Sequence, residues 1–138
     1  MTTATVITVG VQVNAPVEKV WQLWTSPEHI VKWNSPSDDW HTPRATNDLR
    51  VGGRFVSHMA AKDGSMGFDF GGTYTEVKTH QLIKYTMDDN RKATVTFTPN
   101  EKGVQVTVEF DAETINPVEM QRGGWQAISD NFKKYAEL

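Results

Sequence analysis

Cysteine is absent from the 138-residue chain. Its absence excludes disulfide scaffolds, thiol nucleophiles and thiolate metal sites, and it suits a reducing compartment. Long apolar runs are missing as well: no segment approaches the roughly 18 consecutive apolar residues that suggest a membrane span. The N-terminal Met1-Thr2-Thr3-Ala4-Thr5-Val6 has neither the basic stretch nor the apolar core of a secretory leader, so the sequence predicts a soluble, cytoplasmic protein. Strong net charge is lacking too, with 14 basic and 17 acidic residues giving -3. The dispersed cations Lys32, Arg50, Arg54, Arg91 and Lys92 form no nucleic-acid stripe.

Motifs for several chemistries are also wanting. The four histidines, His29, His41, His58 and His80, show no HxH or HExxH spacing, so no metal or other cofactor is expected. Gly52-Gly53 leads into a strand and lacks the lysine and hydroxyl residue of a phosphate loop, which makes it a structural bend. There is no nucleophile elbow.

What is abundant is tryptophan. There are five, and Trp21, Trp24, Trp33 and Trp40 fall within twenty residues of one another. Such side chains need a core, a pocket or an interface to cover them.

The periodicity predicts one α+β domain over residues 1–138. Thr5, Ile7, Val9, Val11 and Val13 share one face of an opening strand. Val17, Val20, Trp21 and Trp24 then recur at helical spacing after Asn14-Ala15-Pro16, with Asn14 or Ala15 near the cap. Ser26-Pro27 begins a second short helix carrying Ile30 and Trp33. Residues 34–47 read as an irregular loop. Strands follow over 54–61, 68–79, 82–88 and 92–98, and then at Val104 to Asp111, whose alternation is the cleanest in the chain. Asn116-Pro117-Val118-Glu119 starts a last helix, with Val118, Gln121, Trp125, Ile128, Phe132 and Tyr135 on one face. Gly123 and Gly124 inside it suggest close packing, a kink, or a ligand approaching the backbone.

Several segments together carry a family resemblance. They are Ala15-Pro16-Val17-Glu18-Lys19-Val20-Trp21, Trp24-Thr25-Ser26-Pro27-Glu28-His29-Ile30 with Trp33, and Asp48-Leu49-Arg50-Val51-Gly52-Gly53-Arg54-Phe55. Gly72-Thr73-Tyr74-Thr75-Glu76-Val77, Tyr85-Thr86, Gly124-Trp125 and Asn131-Phe132 continue it. The ordered set resembles the START-like, or Bet v 1-like (SRPBCC), superfamily, in the branch named after the Hsp90 ATPase activator homologues. The resemblance implies a helix-grip fold: a curved antiparallel sheet around a long C-terminal helix, with two short helices after the first strand. It also implies an elongated cavity between helix and sheet. It does not imply chaperone activation, since that cochaperone carries a further Hsp90-binding domain for which 138 residues leave no room. Where many relatives carry a proline and an arginine, this chain has His80-Gln81-Leu82-Ile83, so no role of that arginine transfers.

The expected cavity wall comprises Trp21, Trp24, Trp33, Trp40, Phe55, Phe70, Tyr74, Tyr85, Phe97, Trp125, Ile128 and Phe132. Burying about 200 Å² of ligand there would contribute on the order of 5 kcal/mol before binding entropy. The leading expectation is reversible binding of a small hydrophobic or aromatic metabolite. One alternative is a polyketide cyclase- or dehydratase-like enzyme using His41, Arg50 or Tyr74. A second is a non-catalytic regulatory or interaction protein, in the form of a homodimer if an apolar strip of the last helix is exposed.

Overall fold

The computed structural model describes residues 5–138; the first four residues of the leader comparison lie outside that range. Strand β1 (Val6–Val13) is followed by helices α1 (Val17–Thr25) and α2 (Pro27–Trp33). Six strands come next: β2 (Trp40–Asn47), β3 (Arg54–Ala61), β4 (Gly67–Lys78), β5 (Leu82–Met87), β6 (Lys92–Asn100) and β7 (Gly103–Asp111). Helix α3 (Val118–Ala136) ends the chain.

All seven strands join one antiparallel sheet in the order β1-β7-β6-β5-β4-β3-β2. After β1 the chain crosses through α1 and α2 to the opposite edge, then meanders back strand by strand. The sheet curls into a half-barrel, helped by a register shift between Tyr74 and Glu76 on β4. Its concave face meets α3. This is the helix-grip architecture that the family resemblance implies.

The alternating residues of β1 and β7 supply the core as expected. Ile7, Val9, Val11 and Val13 pack with Val104, Val106, Val108 and Phe110, all buried. Helix α3 also shields the free edge of β1. The Gln126 amide donates to the Gly10 carbonyl at 3.0 Å and accepts from its N–H at 3.3 Å, while Lys133 Nζ donates to the Gln12 carbonyl at 2.6 Å. These bonds satisfy backbone groups that an exposed edge strand would leave open.

Two local expectations need correction. Residues 40–47 form a strand, not a loop. Strand β2 is an edge strand, largely exposed, and Pro43 sits where its register against β3 shifts between His41 and Arg44. An edge bulge tolerates the missing proline N–H, and it breaks the alternation that would have revealed the strand. The caps differ too. Pro16 and Pro117 occupy the N-cap positions with extended ψ of 151° and 146°, and neither helix has a side-chain cap bond. Asn14 donates its N–H to Glu137, and Asn116 turns its amide to Glu113. In the β4–β5 turn, His80 adopts a left-handed φ of 64° and its ring meets the edge of Trp21 at 6.0 Å.

Candidate functional site

Between α3 and the concave sheet lies a cavity of about 410 Å³, within the usual range for small-molecule sites. Its sheet wall is aromatic: Phe55, Phe70, Tyr74 and Tyr85 all line it. Parity puts the β3 and β4 residues there, since Phe55 with Ser57 and Met59, and Phe68 with Phe70 and Tyr74, lie an even number of residues apart on the inward face. Phe55 anchors this wall, with ring centres 5.3 Å from Tyr74, 4.8 Å from Tyr85 and 5.8 Å from Phe70. Gly72 makes room for it, because a Cβ at that position would stand 3.0 Å from the Phe55 ring and 2.7 Å from the Thr86 carbonyl.

The helical wall comes from Trp24 on α1, Trp33 on α2, and Gln121, Gly124, Trp125, Ile128 and Ser129 on α3. The α3 residues recur at i, i+3, i+4, i+7 and i+8, one face of the helix. Trp125 stacks on Phe110 with ring centres 3.8 Å apart and planes 12° from parallel, and its edge meets Phe70 at 5.9 Å. It therefore bridges helix and sheet. Phe68 and Met120, both more than half exposed, line the cavity where it reaches the surface.

Polar groups in the lining are few. Tyr74 Oη donates to Asn47 Oδ1 at 2.5 Å, and Asn47 Nδ2 donates to the Thr25 carbonyl at 2.6 Å, tying β4 through β2 to the end of α1. Burial pushes the Tyr74 phenol well above the ordinary tyrosine range, although the Asn47 bond opposes the shift. Tyr85 is raised in the same direction, chiefly by burial and secondarily by Tyr74, with the Arg91 charge opposing. Arg91 enters the lining from the β5–β6 turn. Its Nε donates to Asp89 at 2.7 Å and its Nη1 to the Asp111 carbonyl at 3.1 Å. At the β7–α3 connection the Gln121 amide accepts from the Glu113 N–H at 2.9 Å and donates to the Asn116 carbonyl at 2.8 Å, fixing that end of the cavity.

Of the twelve residues expected to line the cavity, Trp24, Trp33, Phe55, Phe70, Tyr74, Tyr85, Trp125 and Ile128 do so. The other four lie elsewhere. Phe97 and Phe132 are fully covered core residues, at 3% and 0% exposure. Phe132 is wedged between Trp24 and Trp33, 4.8 and 4.9 Å away. Trp21 packs edge-on against Phe97 at 5.2 Å. Trp40 leans on Phe68 outside the main cavity, beside a second, polar depression.

Among the proposed acid–base residues only Tyr74 reaches the cavity. His41 is exposed on β2, and Arg50 is exposed and paired with Asp48 at 2.9 Å beside the Gly52 turn, whose φ is +83°. His58 points outward as its parity requires and bonds Asp69 at 2.7 Å. Sequence reasoning did not pick out Ser57, Arg91 or Ser129 as cavity residues. The inward parity of Ser57 was visible; Arg91, in a turn, had no periodic signal.

Gly123 and Gly124 receive a definite reading. A Cβ built on either would meet nothing within 4 Å, so close packing does not account for them, and Gly124 faces the cavity.

The comparisons agree with this architecture. An AHSA1-like protein from Aeromonas hydrophila, known from its solution structure, superposes with a TM-score of 0.91 at 46% identity, over 96% of this chain and 92% of that one. A solution structure from Cytophaga hutchinsonii gives 0.80 at 49% identity, over 97% and 92%. A crystal structure of a Chromobacterium violaceum protein gives 0.84 at 25% identity, over 96% and 98%. No curated protein matches the chain. Among the described residues no helix is long and apolar enough to cross a membrane. The family described as Activator of Hsp90 ATPase homolog 1-like protein matches residues 14–137, nearly the whole of the helix-grip fold and its cavity; the chain belongs to that family, within the START-like, or Bet v 1-like, superfamily, whose fold serves ligand-binding and regulatory proteins in general.

Proposed function

We propose that this chain acts as a single cytoplasmic domain that binds a small hydrophobic or aromatic molecule reversibly in the cavity between α3 and the sheet. The observation that supports this most directly is the cavity itself: about 410 Å³ of space walled by eight aromatic side chains from six elements. Apolar walls provide affinity through buried area, while a few polar groups orient the ligand. The position of His41 and Arg50 outside the cavity favours binding over a cyclase-type reaction.

Native mass spectrometry of gently purified protein, followed by extraction, tests for a retained compound. Added aromatic compounds provide the second arm. A ligand at 100 times its Kd stabilises the fold by about 2.7 kcal/mol, a clear rise in Tm. Trp24, Trp33 and Trp125 line the cavity, so their fluorescence should change on binding. No retained compound, together with no thermal shift across a panel of mono- to tricyclic aromatics, would refute the proposal.

A further inference from the structure

The polar groups of the cavity specify more than a hydrophobic ligand. Tyr85 lines the cavity, and its hydroxyl has no hydrogen-bond partner among the described residues. Among those residues no fully sealed side-chain oxygen or nitrogen lacks a partner, so the Tyr85 hydroxyl is open to the cavity it lines. Arg91 stands on the same inward face. Tyr85 pairs with Ala93, two residues from Arg91, and the Met87 N–H donates to the Arg91 carbonyl at 2.7 Å to close that hairpin. Two N–H groups of the guanidinium, on Nε and Nη1, are held by Asp89 and Asp111, leaving Nη2 without a partner among the described residues. The hairpin thus contributes to the lining of an aromatic chamber two side chains that each keep an unsatisfied donor.

The charge balance restricts what they receive. The ionisable groups in the lining that carry charge at neutral pH are Arg91 and Glu113, one of each sign, and Arg91 already has Asp89 at 2.7 Å. An anion would find no net positive charge, whereas a neutral acceptor would satisfy both donors without meeting Glu113 as a like charge.

We infer that the cavity selects a neutral aromatic carbonyl compound, its ring system between the sheet and α3 and its carbonyl oxygen accepting from the Tyr85 hydroxyl and the Arg91 guanidinium. A carbonyl oxygen has two lone pairs, which matches two donors. This assignment rests on the binding function proposed above and adds the ligand class.

Isothermal titration calorimetry with three probes of one ring system tests it: 2-acetylnaphthalene, 2-ethylnaphthalene and 2-naphthoate. The ketone should bind about tenfold tighter than the ethyl compound, and no more weakly than the carboxylate. Tyr85→Phe removes only a hydroxyl that bonds nothing in the protein, so folding should persist. In that variant ketone affinity should fall about 3- to 10-fold, while that of the ethyl compound stays within about twofold. Arg91→Gln should narrow the same preference.

Equal wild-type affinities for ketone and ethyl compound would overturn the inference and leave hydrophobic binding standing. So would a ketone preference that survives Tyr85→Phe, or tightest binding of the naphthoate. Failure of both neutral probes to bind would overturn the inference; the binding function falls as well only when no compound is retained and the wider aromatic panel gives no thermal shift.

Discussion

The two glycines of α3 permit a controlled perturbation. Gly123 is exposed, Gly124 lines the cavity, and a Cβ on either meets no atom within 4 Å. Glycine inside a helix costs about 0.8–1.0 kcal/mol relative to alanine. With no clash to offset that gain, Gly123→Ala and Gly124→Ala should each stabilise the fold by about 0.5–1 kcal/mol. At about 2.1 cal/mol/K per residue, the unfolding entropy of a chain this long converts 1 kcal/mol to roughly 3 °C in Tm. The two variants should part company on binding. The Gly124 methyl projects into the chamber, where one carbon more or less is worth about tenfold in affinity, while the Gly123 methyl faces solvent. Calorimetric unfolding and titration with 2-acetylnaphthalene measure both quantities. A loss of stability in Gly124→Ala would refute the open-space reading. Equal changes in affinity for the two variants would show that Gly124 does not border the ligand.

Three further outcomes follow from the packing. Phe132→Ala removes a fully buried ring from between Trp24 and Trp33, and should cost about 3–5 kcal/mol, read as a fall of roughly 10 °C or more in Tm. Tyr74→Phe leaves Asn47 Oδ1 without its donor and should cost about 1–2 kcal/mol in urea unfolding; a change below about 0.3 kcal/mol would show that the bond adds nothing. Both Tyr74 and Tyr85 have pKa values raised by burial, so the folded state favours their protonated forms. The stabilisation is complete below the unfolded-chain value of about 10 and is lost as pH rises from there through the folded values. Urea midpoints should therefore fall between about pH 10 and 11, with the tyrosinate absorbance at 295 nm appearing alongside unfolding; constant midpoints would contradict the burial of these phenols.

Much of the fold was legible because its signals are periodic. The alternation of Val104 to Asp111 defines a half-buried strand, and Gln121, Trp125, Ile128 and Phe132 define a helix face, whatever packs on them. Strand β2 was illegible for the opposite reason: at the sheet edge, exposed and bulged at Pro43, it owes its conformation to β3 rather than to its own pattern. Arg91 escaped notice because a turn residue has no face until the turn is folded.

The cavity was less legible than the fold, since periodicity identifies the inward face and not which part of that face remains open. Phe97 and Tyr85 both point inward from neighbouring strands. Phe97 lies beneath α1, with Trp21 5.2 Å and Trp24 6.0 Å from its ring, and so becomes core. Tyr85 lies beyond that cover and lines the cavity with Trp125 and Gly124 of α3. There the helix presents a glycine where another residue would place a side chain. The absent Gly124 side chain, as much as the aromatic residues around it, accounts for the open space, and filling that one position is the most direct way to find out what the space is for.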